Sequence, residues 1–134
     1  MAHTQGYLFH LAIPCRNLDE ASSFYVGLLG AREARRYPDR VTLDFFGMQL
    51  VCHLDPEAVV AEPTIYPRHF GLTFGQRSDF ERLLEGLRLA GAPFFREPFR
   101  RFEGMHEEHT TFFLCDPSNN LIEFKHYENA RMIY

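Results

Sequence analysis

Residues 7–30 read YLFHLAIPCRNLDEASSFYVGLLG, and residues 68–91 read RHFGLTFGQRSDFERLLEGLRLAG. Both stretches run strand, polar cap, amphipathic helix, glycine stop. In the first, Tyr7–Pro14 predicts a strand, and Asn17 with Glu20 three residues later predicts a helix start. Leu18, Ala21, Phe24, Tyr25, Leu28 and Leu29 give the apolar stripe, and Gly30 ends the helix. In the second, Arg68–Phe74 predicts a strand and Ser78 to Glu81 a capping box. Phe80, Leu83, Leu84 and Leu87 form the stripe, and Gly91 stops it. His10 and His69 occupy matching places roughly 60 residues apart, as do Gly30-Ala31 and Gly91-Ala92.

Working outward, each helix is followed by three strand-like runs. They lie at 31–37, 40–46 and 48–54 in the first half, and near 93–98, 109–115 and 120–127 in the second. The order βαβββ therefore occurs twice. Module one spans about 7–54, a linker about 55–67 and module two about 68–127, within one domain, 1–134. The expected fold class is α+β: two modules side by side in one cup-shaped mixed sheet, helices outside.

Composition agrees with a soluble globular chain. Hydrophobic residues are 46% and charged residues 24% of 134, which excludes a disordered tail or a disulfide-dense miniprotein. The formal net charge of −4 argues against nucleic acid, whose binders carry a basic face. The basic segment Arg96–Arg101 is diluted by Phe, Glu and Pro, so we read it as solvated. No run approaches the length of a membrane span, and no secretory signal is recognisable. Cys15, Cys52 and Cys115 are odd in number, far apart and without a C-x-x-C pair, so buried free thiols are expected. Reduced thiols fit a cytoplasmic protein.

Alternation along the strands sorts the remaining residues. Phe9, Leu11 and Ile13 suit the helix-covered face, which turns His10 and Ala12 the other way. Phe70, Leu72 and Phe74 do the same for His69, Gly71 and Thr73, and Ile122 and Phe124 do it for Leu121, Glu123 and Lys125. Gln49, Val51 and His53 share the open face of the fourth strand. Alone, each of these His and Glu residues has an ordinary structural reading. Together, His10, His69 and Glu123 interrupt apolar runs at matching strand positions. A carboxylate buried beside imidazoles is costly without a compensating cation, so the three are candidate metal ligands. His53, His106 and His109 are candidate acid/base groups. Gln49, Val51, Phe113 and Lys125 are candidate pocket residues. The 14 Phe of the chain divide between core and pocket.

At these residues the chain resembles the vicinal oxygen chelate superfamily, which includes glyoxalases, type I extradiol dioxygenases, epimerases, and fosfomycin- and bleomycin-resistance proteins. The marks are the His10 strand, residues 17–30, RHFGL (68–72) and DPSNNLIEF (116–124). The resemblance implies that His10, His69 and Glu123 ligate a divalent metal. Glyoxalase I enzymes add a fourth ligand, a Glu, where the repeat alignment puts Val51, which weighs against that chemistry. Two His and one carboxylate resemble the facial triad of Fe(II) oxygenases. Gly104-Met105-His106, Phe112, Phe113, Asp116-Pro117, Asn119 and Glu123 follow the extradiol spacing, with Phe113 replacing a Tyr and Asn119 a Gly. Asn tolerates the left-handed conformation such a turn needs.

The resemblance thus implies an extradiol-type ring-cleaving dioxygenase that uses Fe(II), a small substrate with two vicinal oxygens, and O₂. Mn(II), Zn(II) and Ni(II) are the other metals to consider. A glyoxalase- or epimerase-like enzyme or a fosfomycin-resistance-like transferase is the alternative. That transferase class usually carries a Thr where this chain has Ala12. A binding protein without catalysis is the third reading, and a homodimer is the expected assembly.

Overall fold

The computed structural model describes residues 6–134, and residues 1–5 lie outside the described part. Among the described residues, eight strands and two α-helices follow the expected order. The strands are β1 (His10–Cys15), β2 (Arg32–Tyr37), β3 (Arg40–Phe45), β4 (Met48–Leu54), β5 (Phe70–Phe74), β6 (Phe94–Arg101), β7 (His109–Cys115) and β8 (Leu121–Tyr127). Helix α1 spans Leu18–Ser22 and α2 spans Arg77–Leu89. The strands pair in two four-stranded sheets, β1-β4-β3-β2 and β5-β8-β7-β6, where the sequence reading joined them in one. In each sheet the first strand runs parallel to the last, and the other neighbours are antiparallel. The two orders are the same pattern repeated, as the duplication predicts.

The chain divides into two compact units, one reaching to Glu62 and including Asp116–Asn120, the other comprising Pro63–Cys115 and Leu121–Tyr134. In the first unit, Ile13, Val41, Leu43, Leu50 and Cys52 are buried on the face that meets Ala21, Phe24, Tyr25 and Leu29. Asn17 caps α1: its Oδ1 accepts from Glu20 N–H at 2.8 Å. The reciprocal half of the capping box is not made, because the Glu20 carboxylate pairs with Arg16 at 2.9 Å. The helix does not continue as α to Leu29. Residues Ser23–Leu28 form a π-helical turn, in which Leu29 N–H reaches back five residues to the Phe24 carbonyl. Val26 and Gly27 both weaken α geometry there, and the widened turn buries Phe24 and Tyr25 side by side.

The five residues 116–120 are held in the first unit by an unusual density of hydrogen bonds. Buried Asp116 accepts from Ser118 N–H, Asn120 N–H, Asn120 Nδ2 and Tyr25 Oη–H, at 2.7–2.9 Å. Burial pushes its carboxyl pKa up, and these four donors pull it back in part. Asn119 adopts φ 62°, the left-handed conformation expected of it, and its Nδ2 donates to Val60 O at 2.7 Å.

In the second unit, Phe80 and Leu87 of α2 pack on Phe112, Leu114, Ile122 and Phe124. Phe112 stacks on Phe124 with ring centroids 5.3 Å apart. Helix α2 begins one residue before the predicted capping box. Its N-cap is Gln76, without a side-chain bond, and Ser78 lies inside the helix. Arg77 anchors this first turn instead, pairing with Glu81 and Glu128.

Strands β1 and β5 are also shorter than predicted. Tyr7, Leu8 and Phe9 precede β1 and are exposed, Phe9 at 66%, so Phe9 does not join the helix-covered face. His69 stands directly before β5. Cys15 and Cys52 are buried free thiols, while Cys115 is half-buried. Burial pushes the pKa of both buried thiols up. No helix among the described residues is long and apolar enough to cross a membrane.

Candidate metal centre

Glu123 stands near the middle of β8, on the sheet face away from α2. It is a buried carboxylate, 7% exposed. In the ladder it stands between Gly71 of β5 and Phe113 of β7. A Cβ on Gly71 would lie 1.6 Å from the Glu123 carbonyl oxygen, so the strands fit at this point only because residue 71 has no side chain. That approach leaves His69, two residues upstream, level with the carboxylate. His69 Nε2 lies 3.1 Å from Glu123 Oε1.

The other ring nitrogen decides what Nε2 can offer. His69 Nδ1 lies 2.8 Å from the Ile65 carbonyl, which can only accept, so Nδ1 carries the proton. In the neutral ring Nε2 is then a lone pair facing a carboxylate oxygen. Two acceptors at this distance repel unless a cation lies between them or Nε2 is protonated. A carbonyl that fixes the imidazole tautomer is the usual support of a metal-bound histidine. Adjacent ligands at about 2.1 Å from one ion lie about 3.0–3.4 Å apart, so the observed spacing fits a shared divalent cation. The imidazole is held edge-on by Phe113 and Tyr66, with ring centroids 5.4 and 6.0 Å away. Tyr66 in turn accepts from Arg101 Nη1 at 2.8 Å.

The second carboxylate oxygen has its own donor. Thr111 Oγ1 donates to Glu123 Oε2 at 2.6 Å, and Thr111 is wholly buried. Lys125 Nζ lies 3.9 Å from Oε1 and 5.4 Å from the centre of the Tyr127 ring. A cavity of about 210 Å³ opens here, lined by His69, Gly71, Thr73, Glu123 and Lys125 among others.

Of the three predicted ligands, His69 and Glu123 are brought together. His10 opens β1 in the other unit, exposed, opposite Gln49 of β4. Among the described residues, no group of three or more His, Cys, Asp or Glu side chains is gathered as a metal site. Gln49 and Val51 are half-buried; Gln49 lines a cavity of about 160 Å³ with Arg35, Thr42 and Asp44. Phe113 and Lys125 adjoin the His69–Glu123 pair. Of the candidate acid/base residues, His109 is buried at 5% exposure on the same face of β7 as Thr111 and Phe113. Its Nδ1 lies 3.0 Å from Glu107 O, and its ring packs on Tyr127 at 4.6 Å. His106 is exposed in the loop before β7, and His53 is exposed near the end of β4. Thr111 and the Ile65 carbonyl escaped the sequence reading. A threonine directly before the apolar run Phe112-Phe113-Leu114, on the open-face parity of β7, was the available signal for the first.

The family model described as Glyoxalase/Bleomycin resistance protein/Dioxygenase superfamily matches residues 7–124. The chain belongs to this superfamily. A superfamily structure described as glyoxalase/bleomycin resistance protein/dioxygenase, from Alicyclobacillus acidocaldarius, is 57% identical. It superposes with a TM-score of 0.93 over 96% of this chain and 97% of that one. The lactoylglutathione lyase of Agrobacterium tumefaciens is 15% identical, with a TM-score of 0.68 over 92% and 96% of the two chains. The fosfomycin resistance protein FosX of Listeria monocytogenes is 14% identical, with a TM-score of 0.73 over 96% and 99%. These last two share the fold of this chain. No curated protein matches the chain.

Proposed function

We propose that the chain is a divalent-metal-dependent enzyme of the extradiol type, in which His10, His69 and Glu123 hold Fe(II). Its substrate is a catechol-like small molecule, whose ring opens beside the diol as both atoms of O₂ are incorporated. The observation that carries this reading is the 3.1 Å approach of His69 Nε2 to the buried Glu123 Oε1, with Nδ1 held by Ile65 O. When bound, a divalent metal supplies chelation of two neighbouring oxygens and a place for O₂.

The chain's own residues do the rest. The Ile65 carbonyl and the flanking rings of Tyr66 and Phe113 orient His69. Phe113 presents no hydroxyl, so it excludes water and leaves proton transfer to other groups. Lys125 places an ammonium beside the carboxylate, where it favours an ionised diol oxygen. Among the acid/base candidates, His109 is favoured over His106 and His53, because it shares the buried open face of β7 with Thr111. With one carboxylate and a dication, the site keeps a net positive charge that suits a catecholate.

Anaerobically purified protein loaded with Fe(II) should consume O₂ on addition of catechols and yield a ring-opened product. Iron-loaded protein that takes up no O₂ with any catechol overturns this reading. His69→Ala should lose the metal itself, and retention of bound metal would remove His69 from the ligand set. A thiol-transfer or lyase reaction on the same metal is the second reading, favoured by the architecture shared with FosX and lactoylglutathione lyase. It gives metal binding without O₂ uptake.

A further inference from the structure

We propose that Thr111 is a positioning residue for Glu123: its hydroxyl occupies Oε2, so that the carboxylate offers a divalent cation Oε1 alone. This rests on reading Glu123 and His69 as metal ligands. A carboxylate can only accept, so the Thr111 hydroxyl hydrogen lies on the 2.6 Å line to Oε2. A bond this short between a hydroxyl and an ionised oxygen belongs to the stronger class.

The donor is also rigid. Thr111 is β-branched, which restricts its side-chain rotation. It is 0% exposed, and its ladder partners are Lys125 on β8 and Phe99 on β6. Since Phe113 pairs with Glu123, Thr111 is the diagonal neighbour of Glu123 on the same face. The remaining oxygen, Oε1, faces His69 Nε2 and Lys125 Nζ. Without the hydroxyl, Oε2 loses the hydrogen bond that fixes it. The carboxylate is then free to turn, so Oε1 no longer keeps its place opposite His69 Nε2.

The test replaces Thr111 by Val, which keeps the shape and removes the donor, and by Ser, which keeps the donor. Mn(II) affinity is measured by titration calorimetry, and the visible spectrum of the Co(II)-loaded protein reports its ligand set. Thr111→Val should weaken Mn(II) binding roughly 10- to 100-fold, the range seen when a supporting hydrogen bond to a ligand is lost. It should also change the Co(II) spectrum, and Thr111→Ser should restore both. If Thr111→Val does not fold, Thr111→Ala is read by the same two measurements. Wild-type-like or tighter Mn(II) binding with an unchanged Co(II) spectrum overturns the role of Thr111 and leaves the proposed function standing. Wild-type protein that takes up neither metal overturns both.

Discussion

Gly71→Ala is the smallest change that tests how the site is assembled. The added Cβ would sit 1.6 Å from the Glu123 carbonyl oxygen and 2.6 Å from its carbonyl carbon. Both are backbone atoms, so no side chain can swing aside. Carbon–oxygen contacts between neighbouring strands settle at about 3.3–3.6 Å, so β5 and β8 must separate locally by about 1.7–2.0 Å. Strands pair at about 4.7–4.9 Å, so a shift of that size breaks the one or two backbone hydrogen bonds nearest the contact. Overpacking costs about 1–3 kcal/mol, and each lost bond adds about 1 kcal/mol. The expected destabilisation is therefore about 2–5 kcal/mol, measured by urea denaturation with circular dichroism. The same displacement carries His69 away from Glu123, so divalent-metal affinity should fall at least about tenfold. A Gly71→Ala protein with an unchanged urea midpoint and unchanged metal affinity would refute this account of the close approach.

Lys125→Met removes a cation 3.9 Å from Glu123 Oε1, the oxygen proposed to face the metal. At that distance in a partly exposed site the repulsion of a second cation is about 1 kcal/mol after screening. Mn(II) should bind roughly fivefold more tightly to the variant, by calorimetry, and weaker binding would contradict the placement of the ammonium. Tyr25→Phe removes one of the four donors to buried Asp116 and should cost about 1–3 kcal/mol in urea denaturation. Burial holds the Asp116 pKa above its unfolded value, so the folded state binds the extra proton and stability from this group falls as pH rises through its raised pKa. Tyr25→Phe raises that pKa further, so its penalty should be larger at pH 7 than near pH 4; equal penalties at both would contradict the sign. Cys52 and Cys15 should react with a thiol reagent only on unfolding, by absorbance of the released chromophore, because burial keeps both thiols protonated.

The duplicated βαβββ order was legible because it rests on period and punctuation: two glycines at φ 76° and 70° after two amphipathic stripes. Asn119 was legible for a related reason, since few residues accept its φ of 62°. The pairing of His69 with Glu123 followed from strand parity alone. What the sequence concealed depends on contacts between distant segments. The π-helical turn at Ser23–Leu28 has no periodic signature distinct from an α-helix. The start of α2 was set by Arg77 meeting Glu128, fifty-one residues on. Thr111 reads as an ordinary strand residue until its hydroxyl is seen on Glu123. The Ile65 carbonyl belongs to a linker whose composition says nothing of where its backbone points.

The turn Asp116–Asn120 sets an order on synthesis. Its carboxylate and amides satisfy Tyr25 Oη and the Pro14 carbonyl, groups laid down at the start of the chain. A ribosome that has finished Glu62 has made most of the first unit but not its closing piece. At about 5–20 residues per second, the missing five residues are complete about 3–12 s later. Until then the nascent half carries a buried phenol and a strand carbonyl with these partners still unmade. A gene cut between the two repeats would therefore yield a first fragment lacking its own latch. The two compact units are not two successive stretches of chain, because a piece of the second repeat completes the first unit.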